Sequence, residues 1–146
     1  MSLTAKDFFT KDQKVAIEAA ISSAEATTSG EVKVHIEARC QGEVLARATQ
    51  VFEQLAMHKT KVRNGVLFYL AYEDRRFAIL GDTGINAAVP DNFWDTIKVD
   101  MQVRFRSGHF TEGLVEGIQK AATSLATHFP TEKGDVNELD DEINFG

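Results

Sequence analysis

Asp82, Asn86 and Asp91 fall within the stretch Phe77 to Trp94, FAILGDTGINAAVPDNFW, where an apolar run opens into glycines and oxygen donors. Hard cations such as Ca²⁺ and Mg²⁺ require oxygen ligands of this kind, on a loop whose backbone carbonyls can also turn inward. Ordinary turn chemistry competes with that reading, with Asp82 and Gly84 building a turn and Asp91 capping a following helix. A second group of donors stands in GDVNELDDEINF, where Asp135, Asn137, Glu138, Asp140 and Asp141 crowd together. Val136, Leu139 and Ile143 recur there at i, i+3 and i+7, an apolar stripe that a solvated acidic tail does not need, so the segment is expected to dock. Carboxylates so crowded repel one another unless a cation neutralises them. One ion bridging loop and tail satisfies both demands, with Asp82, Asp91, Asp135 and Glu138 as its main ligands and Glu31 and Asn137 behind them. The plainer alternative for the tail is a short amphipathic helix with a solvated acidic face. Asp135 and Asn137 have the opening spacing of an EF-hand loop, but Asp140 stands where that loop needs glycine, which excludes it.

Other chemistries find little support. His35, His58, His109 and His128 have no HExxH or CxxC companions, so a zinc site is not expected. His35 reads as a surface residue on the polar side of a strand. No serine lies in GxSxG, and Cys40 lacks the Cys-x5-Arg surroundings of a cysteine phosphatase. Arg104 and Arg106, in RFRSGHF, could hold a phosphate, although arginines near a helix end more often satisfy its carbonyls and dipole.

Of the 146 residues, 43% are hydrophobic and 26% charged, the balance of a soluble globular chain able to bury one core. The net charge of −6 is uneven: residues 130–146 hold six acids and one base, leaving 16 acids and 15 bases before them. A neutral body with an acidic end argues against nucleic acid and anionic membrane as partners, and favours cations or basic protein surfaces. One cysteine cannot form an internal disulfide, and MSLTAKDFFTKDQK contains no apolar export segment, so a cytoplasmic location is expected.

The elements that must position these residues follow from periodicity. Thr10 with Gln13 forms a capping box opening a helix with Ile17, Ile21 and Ala24 on one stripe, ending at Ser29-Gly30. EVKVHIE alternates as a strand with one polar face. A second helix follows, with Val44, Ala48, Val51 and Leu55 on its apolar side. Val66 to Tyr72 is an unbroken apolar run, the pattern of a central strand covered on both faces, and Glu73-Asp74 turns it into RFAIL as a hairpin. Two further helices carry Trp94, Ile97, Met101 and Phe105, then Leu114, Ile118, Ala121 and Leu125, with Asp91 and Thr111 as their caps and Pro130 as the stop. Gly113 and Gly117 allow the last helix to pack closely. A right-handed crossover makes the first two strands parallel, and the hairpin adds the third antiparallel. The fold class is therefore an α/β protein: an αβα three-layer sandwich with a small mixed sheet flanked by helices on both faces. In that topology Glu31, Asn64 and Asp82 gather at one rim.

With NGVLFYLAYEDRRFAILGD and FRSGHFTEGLVEGI, the chain resembles the TPM-domain family of thylakoid-lumen and bacterial proteins, from about Thr10 to Phe129. Its most specific parts are Asn64-Gly65, Arg75 to Asp82 and Phe105 to Gly117. The resemblance implies an αβα sandwich, weak acid phosphatase activity or divalent-cation binding at an acidic groove, and it lends support to Asp82 as a ligand. Three departures stand out: the sequence leads one to expect no export signal or anchor, Arg63 replaces a commonly acidic residue, and DVNELDDEI lies outside the usual domain, as in short bacterial forms. The expectation is a TPM-like domain over residues 1–129, with the acidic segment 130–146 docked on it. Its function is expected to be Ca²⁺ or Mg²⁺ binding with a regulatory role. A weak metal-assisted phosphomonoesterase and a protein-protein adaptor are the alternatives.

Overall fold

The computed structural model describes residues 5–131 and 142–146. A four-residue helix, α1 (Ala5–Phe8), stacks Phe8 on Tyr72 with ring centroids 3.9 Å apart. Helix α2 (Lys11–Ala26) opens on the expected capping box: Gln13 N–H donates to Thr10 Oγ1 at 3.2 Å, and Thr10 N–H donates to Gln13 Oε1 at 2.9 Å. Then come β1 (Glu31–Glu37), α3 (Val44–Gln54), a 3-10 turn at Met57–Lys59, β2 (Gly65–Ala71) and β3 (Arg76–Gly81). The remaining elements are α4 (Thr83–Ala88), α5 (Phe93–Arg106), α6 (Phe110–His128) and β4 (Asn144–Phe145).

The sheet runs β3-β2-β1-β4. Strands β1 and β2 are parallel in the register Glu31 with Gly65 through Glu37 with Ala71, and β3 returns antiparallel with Gly81 opposite Val66. This is the expected αβα sandwich. Val32, Val34, Ile36, Val66, Phe68 and Leu70 send their side chains into the larger core, covered by α2, α5 and α6. On the other face Leu67, Tyr69 and Ala71 pack with Ala48, Val51 and Phe52 of α3 and with Met57. Both faces of β2 are thus buried, as its unalternating sequence requires. The expected close contact of α6 on α5 is also present: a Cβ on Gly113 would lie 2.5 Å from the Phe105 ring, and one on Gly117 would lie 2.6 Å from Met101 Sδ.

Four features differ from expectation. The stretch after β3 is not an open loop, because Thr83–Ala88 winds into α4 with Asp82 as its N-cap. Helix α5 starts two residues past Asp91; Asn92 occupies the cap position without a side-chain hydrogen bond, so Asp91 is an exposed turn residue rather than a cap. Similarly, α6 starts at Phe110 with His109, not Thr111, at its cap position. Finally, β1 has no solvated face. All seven of its residues are buried, including Glu31, Lys33, His35 and Glu37, so His35 is an interior residue at 3% exposure and not a surface one.

A fourth strand joins the edge of the sheet. Asn144 and Phe145 pair in parallel with His35 and Ile36, and Ile143 just before them is buried in the larger core. Two residues carry no readable period, which is why β4 has no signature in the sequence.

Candidate functional site

Three sequence-distant residues meet at one rim because of the strand order. Glu31 N–H donates to Asn64 O at 3.3 Å, and Asp82 N–H donates to Gly65 O at 2.9 Å. Glu31, Gly65 and Asp82 therefore stand in a row across β1, β2 and the end of β3. Two strand spacings, about 10 Å, separate the outer pair.

The Asp82 carboxylate is buried, with its side chain 4% exposed, and both of its oxygens are engaged. Arg63 Nε donates to Oδ2 at 2.7 Å and Arg63 Nη2 to Oδ1 at 2.8 Å, while Thr83 N–H donates to Oδ1 at 2.7 Å. The hydrogen-bonded Asp82 carboxylate raises the Arg63 pKa above its ordinary value, with desolvation acting against it. Yet the Arg63 side chain remains 46% exposed. A fork-to-fork pair is thus formed by one group buried in the protein and one that faces water over nearly half its surface.

The backbone is shaped for this meeting. Arg63 adopts φ of 55°, the left-handed region, which turns the chain sharply ahead of β2. Gly84 lets the first turn of α4 press against residues 62 and 63: its N–H donates to Arg63 O at 2.9 Å, and a Cβ there would stand 2.1 Å from the Val62 carbonyl oxygen. The GDTG motif is thus explained by a helix start that touches another loop. Asn86 is committed to structure as well, donating from Nδ2 to Gly81 O at 2.8 Å and accepting from Trp94 Nε1 at 3.0 Å.

The other site residues expected from the sequence are dispersed or lie outside the description. Asp91 is exposed in the turn before α5, and Glu31 is buried at 3% exposure. Asp135, Asn137 and Glu138 fall outside the described residues. Among the described residues no three His, Cys, Asp or Glu side chains converge into a metal-binding group. The donors in the described part of the rim are therefore too few to hold a hard cation by themselves.

A second polar cluster, unforeseen from the sequence, occupies the opposite end of β1. Glu37 accepts from Arg47 Nε at 2.9 Å and from Arg47 Nη2 at 2.8 Å, and also from the Tyr69 hydroxyl. His35 Nε2 lies 2.9 Å from Glu37 Oε1, and its Nδ1 lies 2.5 Å from Asn144 Oδ1. Burial pushes the Glu37 carboxyl up, but hydrogen bonds from Arg47, Tyr69 and His35 together outweigh it and hold the group at about 2. Burial, then the bond to Glu37, pushes the Tyr69 phenol well above its usual range. Beside the cluster opens a groove of about 490 Å³, lined in part by Glu37, Arg39, Arg47, Gln50 and Gly146. Each polar group that faces inward here is bonded to another, which makes the cluster a locked structural network rather than a poised acid-base site. Its sequence signal was present but faint: His35 and Glu37 sit at i and i+2 on one strand face.

Comparisons with known proteins agree with the architecture. The TPM domain family model matches residues 3–124. The chain belongs to the TPM domain family. It is 47% identical to the BA42 protein of the psychrophilic bacterium Bizionia argentinensis, whose solved structure superposes with a TM-score of 0.90 and covers 97% of each chain. The N-terminal domain of a protein from P. gingivalis matches in fold at 21% identity and TM-score 0.71, covering 86% of this chain and 83% of that one. The N-terminal domain of cg2496 from Corynebacterium glutamicum does so at 15% identity and TM-score 0.66, covering 86% and 79%. No curated protein matches the chain. No helix among the described residues is long and apolar enough to cross a membrane.

Proposed function

We propose that this TPM domain binds a divalent cation, Ca²⁺ or Mg²⁺, at the Asp82 rim in competition with Arg63, and serves as a regulatory binding module rather than an enzyme. The observation that carries the reading is the Asp82 carboxylate itself. It is buried, it demands a positive partner, and its present partner is a half-exposed guanidinium that can leave. Asp91, in the turn that follows α4, supplies a solvent-facing carboxylate. Glu31 at the rim and Asp135, Asn137 and Glu138 of the acidic segment supply the further oxygens that a hard cation needs. In this reading the ion does for the rim what Arg63 does without it, and draws the acidic segment to the loop.

Calorimetric titration with Ca²⁺ and with Mg²⁺ tests the proposal. Wild-type protein should bind, Asp82→Asn should lose at least tenfold in affinity, and Asp135→Asn together with Glu138→Gln should weaken binding without unfolding the chain. Equal affinity in Asp82→Asn and wild type would remove the rim from the site.

A further inference from the structure

The last described residues lie in a groove between α2 and the edge of β1, and each of them is read by a different contact. The Ile143 side chain fills the larger core, and its N–H donates to Glu18 Oε2 at 3.1 Å. Asn144 Oδ1 faces His35 Nδ1 at 2.5 Å. The Phe145 ring lies under the Lys14 ammonium, 5.6 Å from its centroid. Gly146 N–H donates to Ile36 O at 2.9 Å, and its Cα passes so close that a Cβ would stand 2.6 Å from Glu37 Oε1 and 2.8 Å from His35 Nε2. A side chain there would have to displace the Glu37 carboxylate and the His35 ring.

From this density of recognition we infer that the edge of β1 is a peptide-strand acceptor. Its ligand is an extended segment carrying an apolar residue, Asn, an aromatic residue and Gly in succession, and the chain's own residues 143–146 occupy the site in cis. Strand addition gives affinity through main-chain hydrogen bonds and specificity through alternate side chains, and both components are present here. Main-chain pairing of this segment with β1 is short, covering Asn144 and Phe145 with one further hydrogen bond from Gly146 to Ile36 O. Such a short edge element opens more readily than the strands buried at the centre. The buried His35–Glu37 pair supplies a rigid floor: Arg47 and Tyr69 fix Glu37, and Glu37 faces the ring that reads the asparagine. A partner protein displaying the same pattern in an extended segment fits the same four subsites by displacing the cis strand.

Two measurements test this. In the first, a fluorescent synthetic peptide Asp-Glu-Ile-Asn-Phe-Gly is titrated into the full chain carrying Ile143→Ser and Gly146→Val, which weakens the cis strand. The peptide should bind this variant at least tenfold tighter than it binds wild type, where the cis strand competes. A peptide with Val in place of its Gly should lose at least tenfold. A folded variant that binds neither peptide, or both equally, overturns the inference. In the second, amide exchange of wild-type protein compares Gly146 with Phe68 at the centre of the sheet. Exchange on the order of 100-fold faster at Gly146 is expected, whereas equal protection would mean that the cis strand opens only on global unfolding and cannot be displaced. A concentration-dependent dimer of the wild-type chain that Gly146→Val abolishes would assign the edge to a second copy and overturn the partner-protein reading.

Discussion

Arg63 and Asp82, nineteen positions apart, meet in two parallel hydrogen bonds of 2.7 Å and 2.8 Å at the rim where β1 and β2 begin and β3 ends. The guanidinium occupies the place beside a buried carboxylate that a metal ion would otherwise compete for. Removing it should leave Asp82 buried without a counter-charge, which is destabilising. Arg63→Gln is therefore expected to lower the melting temperature in chelator-treated buffer, and millimolar Ca²⁺ should restore part of the loss. A melting curve in each buffer, for wild type and variant, checks both halves.

Glu37 gives the protein a pH signature that is independent of any metal. Its carboxyl is depressed from an ordinary 4.5 to about 2 in the folded state. A group depressed on folding contributes stability that is complete above about pH 4.5 and disappears as the pH falls toward 2. The shift corresponds to about 3 kcal/mol. Denaturant unfolding followed from pH 6 to pH 2 should show that decline, and Glu37→Gln should flatten it while lowering stability at neutral pH, because Arg47 loses its counter-charge and one of the two acceptor oxygens becomes a donor.

Gly84 is the contact that brings α4 against the loop before β2. Gly84→Ala forces a methyl group to within 2.1 Å of the Val62 carbonyl unless the backbone shifts. A loss of about 2 kcal/mol is expected in urea unfolding. The same shift should move Asp82 away from Arg63, so cation affinity should change in this variant although no ligand has been touched.

Asp91 separates ligation from folding. Its side chain is exposed and caps nothing, so Asp91→Asn should change stability by no more than about 0.5 kcal/mol. If it ligates the ion, calorimetry should register at least a threefold loss in Ca²⁺ affinity at unchanged melting temperature.

Much of the fold was legible because its signals are local and repeated. The capping box at Thr10, the unbroken apolar run of β2 and the helical stripe through Ile97, Met101 and Phe105 each report their own burial. Topology then places Glu31, Asn64 and Asp82 together without any knowledge of side chains. What was hidden depends on distant partners. Alternation in EVKVHIE shows two unlike faces but not that the polar one is covered, and Lys33, His35 and Glu37 are buried through contacts made by α3, β2 and the end of the chain. The Arg63–Asp82 pair leaves no periodic trace, so the sequence presents the loop as a set of free oxygen donors although its central carboxylate has a partner. Helix α4 is hidden for a different reason: GDTG is also the composition of a turn, and six residues give too short a stripe to tell the two apart.

Competition between Arg63 and a divalent cation for Asp82 is tested most directly by calorimetric Ca²⁺ titration of wild type beside Arg63→Gln. The account predicts that the variant binds Ca²⁺ at least fivefold more tightly, because the ion no longer has to displace a guanidinium. Weaker binding in the variant, or no binding in either protein, would contradict it.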